Sequence, residues 1–168
     1  MSDALIMDLL EKVKNRFYGK YRGVVTDVDA STMRIKANVP AVLPNIATGW
    51  ATACVPYAGP QVGFIMLPEV GSGVWIEFEG GDVSFPIWTG CYWRTDEVPS
   101  DASATVKTII TKAGSLAFDD DAGTITVKDG NGDSVELNGG AVTIESGSGK
   151  IVADSSGVSV NDGAFTVN

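Results

Sequence analysis

From Leu116 to Val167 the chain repeats one small unit, two apolar residues flanking a third and then a tight turn. The doublets are Leu116/Phe118, Ile125/Val127, Val135/Leu137, Val142/Ile144, Ile151/Ala153, Val158/Val160 and Phe165/Val167, separated by "DDDAG", "DGNGD", "NGGA", "SGSG", "DSSG" and "NDG". Alternate residues of a strand share a face, so each doublet predicts a very short strand with two inward side chains. Gly, Asp, Asn and Ser supply the turns between them. Such strands cannot form a core alone. Two apolar side chains per strand bury too little surface to offset the entropy of ordering its backbone, and a single ribbon leaves its edges and one face open. Three identical chains about one axis close the ribbon into a triangular prism with a continuous apolar centre. The expected trimer core is therefore Leu116, Phe118, Ile125, Val127, Val135, Leu137, Val142, Ile144, Ile151, Val158 and Val160. The competing architecture is a monomeric β-solenoid. A disordered linker fits poorly, because β-branched doublets continue to the end.

The preceding region has the opposite character. "GDVSFPIWTGCYW", residues 81–93, holds two of the four Trp residues, whereas no Trp, Tyr or Cys follows Ser100. Met33, Ile35, Ala37 and Val39 alternate with Arg34, Lys36 and Asn38, and Val74, Ile76 and Phe78 alternate with Trp75, Glu77 and Glu79. Both runs have the period of half-buried strands. "DVDAST" and "EGGD" predict hairpin turns, and "YRGVVTDV", "WATACVPY" and "FPIWTGCYW" complete five or six strands, enough for a small closed barrel. Such a barrel has little interior, so its clustered aromatics are expected to supply much of the buried area.

The first residues, "MSDALIMDLLEKVKNRFYGK", predict a helix. Ser2 or Asp3 can cap it, Leu5, Ile6, Leu9, Leu10, Val13 and Phe17 recur at helical spacing, and Gly19 is placed to end it. Its apolar stripe packs either on its own domain or on a neighbouring subunit. The segment has neither a signal-peptide pattern nor the length of a membrane span, so synthesis and solubility in the cytoplasm are expected.

Charge and composition exclude several functions. With 12 Lys and Arg against 21 Asp and Glu, the net charge is -9, which opposes phosphate-backbone binding. The absence of His removes the commonest neutral-pH acid/base and metal ligand. Cys54 and Cys91 have no CxxC spacing and read as small buried hydrophobes. Asp119, Asp120 and Asp121, and Asp129, Asn131 and Asp133 in "DGNGD", read as solvated turns, since the full calcium-loop patterns are missing. Glu77 and Glu79 share a strand face as a glycosidase pair might, but an exposed charged face explains them. "GSG" at residues 71–73 precedes a strand rather than a helix and reads as a turn, not a phosphate cradle.

"GVVTDV", "VPYAGPQVGFIMLPEVGSGVWIEFEGGDVSFPIWTGCYW" and the Gly- and Asp-rich strand repeats resemble the central spike proteins of contractile tails. These are the phage baseplate assembly protein V type and the barrel-plus-needle parts of type VI secretion VgrG proteins. Most specific are Pro68 to Asp82 and Pro86 to Trp93. The resemblance implies a mainly β chain: an N-terminal helix (1–17), a small barrel of the oligonucleotide/oligosaccharide-binding (OB) type (18–95), a linker (96–104) and an intertwined trimeric triangular β-helix (105–168). It implies a homotrimeric spike that joins the baseplate hub and tail tube to a tip and pierces the target envelope, assembled into a phage tail, tailocin or injection-system particle.

No enzymatic activity, cofactor, metal or nucleic-acid partner is expected. "RTDEVPSDASATVKTI" leaves no room for the lysozyme domain some relatives carry, and without His the iron-binding tip of some phage spikes cannot be carried over. Phe165, Val167 and Asn168 from three chains would instead present an apolar end to a PAAR-type tip protein. The alternative reading is an OB binding module for oligosaccharide or nucleic acid.

Overall fold

A computed structural model of the chain describes residues 3–100 and 102–167. Two compact units divide it, Met1–Val98 and Pro99–Asn168.

In the first unit, α1 (Asp3–Lys14) precedes a curled sheet of β1 (Tyr21–Asp29), β2 (Arg34–Asn38), β3 (Thr52–Ala53), β6 (Gly73–Phe78) and β7 (Pro86–Tyr92). A two-stranded hairpin, β4 (Ala58–Gly59) and β5 (Val62–Gly63), lies between β3 and β6. The sheet order is β2-β1-β6-β7-β3, with β3 parallel to β7 and the other pairs antiparallel. Its ends meet at an Ile35↔Ala51 bridge, where the Ala51 N–H donates to the Ile35 carbonyl at 2.7 Å. Thr48 fixes the same seam, donating its N–H to the Ala37 carbonyl at 2.8 Å and accepting the Ala37 N–H on its hydroxyl at 3.0 Å. This closure gives the five-stranded OB order.

The core is Val25, Ile35, Ala37, Val39, Ala51, Val74, Ile76, Phe78 and Trp88. The alternation at Ile35/Ala37/Val39 and Val74/Ile76/Phe78 thus points inward, with Ile35 and Ile76 at 0% exposure. Met33 does not join it, because it turns the β1–β2 hairpin at φ 56°. The Asp29 carboxylate holds that turn by accepting from the Ser31 N–H (2.9 Å), the Ser31 hydroxyl (2.6 Å) and the Thr32 hydroxyl (2.6 Å). Those donors favour the ionised form and lower the Asp29 pKa to about 2.

The aromatic cluster fills the barrel less than its composition suggests. Trp88 and Phe78 are buried, and Phe17 and Tyr21 pack against them at one end, with ring centroids 6.5 and 5.9 Å from Phe78. Trp75 and Tyr92 pack against each other outside the core with their rings tilted by 51°, and Phe85 and Trp93 are exposed. Branched aliphatics on alternating strand positions line most of this interior. The two cysteines are also exposed rather than buried. Cys54 follows β3 and Cys91 is the next-to-last residue of β7, and neither joins the core.

The helix stops at Lys14, before Phe17. Phe17 leaves the helical path to pack on the barrel, its N–H bonded to the Gly81 carbonyl at 2.8 Å, and Arg16 pairs with Asp82 at 3.1 Å. Tertiary burial overrides local periodicity here. Of the expected caps, Ser2 lies outside the described residues.

The second unit is one antiparallel meander. Its strands are β8 (Val106–Ile110), β9 (Gly114–Asp119), β10 (Thr124–Asp129), β11 (Ser134–Leu137), β12 (Ala141–Ser146), β13 (Gly149–Asp154), β14 (Gly157–Val160) and β15 (Phe165–Val167). Each pairs with its sequence neighbours in a single eight-stranded sheet. A solenoid would place successive coils in parallel; the meander excludes that alternative for one chain. The Asp-rich turns are held by their own carboxylates. Asp119 accepts from the N–H groups of Asp121 and Ala122, and Asp129 from those of Asn131 and Asp133. These are the Asx turns that such residues form between strands.

Candidate functional site

The meander register converts the doublets into two straight rows. Ile109, Leu116, Val127, Val135, Ile144, Ile151, Val160 and Phe165 lie directly opposite one another from strand to strand. Lys107, Phe118, Ile125, Leu137, Val142, Ala153, Val158 and Val167 form the second row. Directly opposed residues share a face. All the residues expected in a trimer core therefore occupy one face of the sheet. At strand spacings near 4.8 Å, the rows run roughly 34 Å.

In a single chain that face is open. Val127, Ile144 and Phe118 are 51%, 44% and 42% exposed, whereas Thr126, Glu136, Thr143 and Ser159 on the other face are half-buried. An apolar face more exposed than its polar reverse requires another surface to cover it.

Two members of the rows escaped the doublet pattern. Lys107 and Ile109 occupy the first strand's places, but a lysine interrupts the apolar-x-apolar signature. The cue available was the spacing of Ile109 from Leu116. Lys107 forms an ion pair with Asp120. At the opposite end Phe165 is 63% exposed. The backbone of Val167 pairs with Val158, while its side chain and all of Asn168 lie outside the described residues.

The barrel's other candidates have ordinary structural partners. Glu77 pairs with Lys20 at 2.7 Å, and Glu79 opens the short turn Glu79–Gly81; both line one groove beside β3 and β7. Gly71 turns the chain at φ 95° before β6, as expected for "GSG". Three aromatics of the barrel, the half-buried Trp75 and Tyr92 and the more exposed Trp50, have cations over their rings. Arg22 lies 5.5 Å from the Trp75 ring and 5.4 Å from that of Tyr92, and Lys36 lies 4.7 Å from Trp50. The loops after β1 and β6, which often grip ligands in OB barrels, are here a four-residue turn (30–33) and a short 3-10 turn followed by a bend (79–85).

Comparison with known families separates along the same division. Residues 21–93 match the type VI secretion system/phage-baseplate injector OB domain, and residues 105–166 match the phage baseplate V C-terminal trimerisation domain. No curated protein matches the chain. The trimerisation match spans the strands that carry the open apolar face, and supports a homotrimer. With the five-stranded barrel and the open sheet each matched to its own domain, the chain belongs to the phage baseplate V and VgrG-type family, a homotrimeric baseplate component of contractile tails and injection systems.

Proposed function

We propose that this trimer is the central spike of its particle, a mechanical part that is driven through the target envelope when the sheath contracts. The observation that carries the reading is the pair of unbroken rows across the eight-stranded sheet. Three such sheets wound about one axis give a narrow shaft whose centre is apolar beyond the level of Lys107 in the first strand. A shaft with a continuous dry core resists bending and shear, because its interior is close-packed rather than hydrated. The barrel is the end that joins the hub and tail tube, and the β15 end, with Phe165, receives a small tip protein of PAAR type. The protein is made in the cytoplasm before assembly and acts without enzymatic chemistry, cofactor or bound nucleic acid. The net charge of -9 supports the last point. It also disfavours the nucleic-acid form of the alternative OB reading, since single strands are held in a basic groove.

The test uses intact particles. Removing Gly163 to Asn168 should leave a trimeric spike in particles that still contract. Those particles should lose the tip protein from a pull-down and puncture target cells less, measured by dye leakage. Equal recovery of the tip protein and equal leakage would refute tip linkage and the role of the shaft end.

A further inference from the structure

Two apolar surfaces in the barrel unit are exposed. The first is α1. Leu5, Ile6, Met7, Leu10 and Val13 are between 43% and 68% exposed, although a 12-residue helix is marginal in water without a surface to pack on. It leaves the barrel where Phe17 bonds Gly81 and Arg16 pairs with Asp82. The second is the β4–β5 hairpin and its continuation, with Tyr57, Val62, Phe64, Ile65 and Met66 exposed. Both ends of this insert lie at the opposite mouth: Cys54 bonds Trp88 beyond β3, and Gly73 opens β6 opposite Tyr92. Ala58 at the base of the hairpin lines one groove with Thr52, Cys54, Val55, Glu77, Glu79 and Ile87, and that groove extends along the barrel wall to Glu79. Glu79 immediately precedes the Gly81 and Asp82 contacts from which α1 departs.

The trimerisation domain decides what is near these surfaces. It holds three barrels by the segment between residues 93 and 105, a length of chain that reaches roughly 40 Å at most. Tethers of this kind place neighbouring copies at effective concentrations in the millimolar range. A threefold ring also requires two different surfaces on each copy, one offered and one receiving. The barrel unit has such a pair, a projecting helix about 18 Å long and an apolar hairpin that its own helix does not cover.

We propose that α1 of each protomer docks by its apolar face on the β4–β5 hairpin of the next protomer, so that the three barrels close into a ring. The inference rests on the homotrimer, and its test reads the two separately. In the full chain carrying Cys54→Ser and Cys91→Ser, Leu10→Cys and Ile65→Cys are introduced together, and the native mass is measured first by light scattering. A short bis-maleimide linker should then convert the trimer into covalent dimers and trimers on a denaturing gel. Intrachain linkage alone, no linkage in the free trimer, or linkage only to another baseplate protein within particles would overturn the proposal. A monomeric native mass would fail the trimer itself and the ring with it. In a second measurement, Leu10→Asp should leave the trimer intact. It should speed exchange of the Phe64 amide, which bonds the Tyr57 carbonyl at 2.9 Å, by about tenfold. Unchanged exchange in that variant would also overturn the docking.

Discussion

The barrel and the shaft are both antiparallel β structures for most of their length, yet they solve the burial problem at different levels. In the barrel, one chain closes its own sheet at the Ile35↔Ala51 bridge and leaves Ile35, Val39, Val74 and Ile76 at 0% exposure. In the shaft, one chain lays Val127, Ile144 and Ile151 on a single face and leaves each more than two-fifths exposed. The difference comes from strand curvature and length. A curled sheet can enclose a small core, whereas a meander of strands of three to six residues has only two inward positions per strand and cannot wrap around them. The barrel is thus a fold of one chain, and the shaft a fold of three.

That comparison fails if the shaft can tolerate a charge on its apolar face. Ile144→Asp places three carboxylates at one level of the axis, where each unpaired buried charge costs several kcal/mol. Light scattering should show loss of the trimer. Near-ultraviolet circular dichroism should retain the signal of the barrel's Trp88. A trimer of unchanged thermal stability would show that Ile144 does not face the shared centre.

A smaller effect is expected from Ile76→Ala, which removes a fully buried side chain within one barrel. Such truncations cost about 2–5 kcal/mol. The barrel's unfolding free energy should fall by that amount while the mass stays trimeric. The shaft's transition, unlike the barrel's, should move with protein concentration, because association is part of its folding. A barrel transition that shifts equally with concentration would erase the distinction between the regions.

The smallest effect tests the hairpin turn that starts the barrel. Asp29 has a folded pKa of about 2, below the usual carboxylate value, because Ser31 and Thr32 hydrogen-bond its ionised form. A depressed pKa stabilises the fold above the unfolded value, and the contribution disappears as pH falls through about 2. Asp29→Ala should lower the urea midpoint slightly at neutral pH, and the gap from the unaltered protein should narrow below about pH 4. A gap that stays constant to pH 2 would remove Asp29 as its source.

The sequence by itself determined what period and turn chemistry can encode. The doublets had to share a strand face, and Asp119 and Asp129 were fit to close turns over their own carboxylates. Ile35/Ala37/Val39 and Val74/Ile76/Phe78 had to line one side of their strands. Those are local properties, fixed by alternation along a chain and by side chains that bond their own backbone. The tertiary structure decided the rest. Strand pairing brought Lys107 and Ile109 into the apolar rows, although their strand lacks the doublet signature. It also joined the barrel across β2 and β3, and left Trp75, Tyr92 and both cysteines outside the core. Packing drew Phe17 out of the helical path, because burying its ring against Phe78 and Tyr21 is worth more than another turn of helix. Composition marks a side chain as able to be buried, but only the closed arrangement of strands, and for the shaft the presence of two more chains, supplies the surface that buries it.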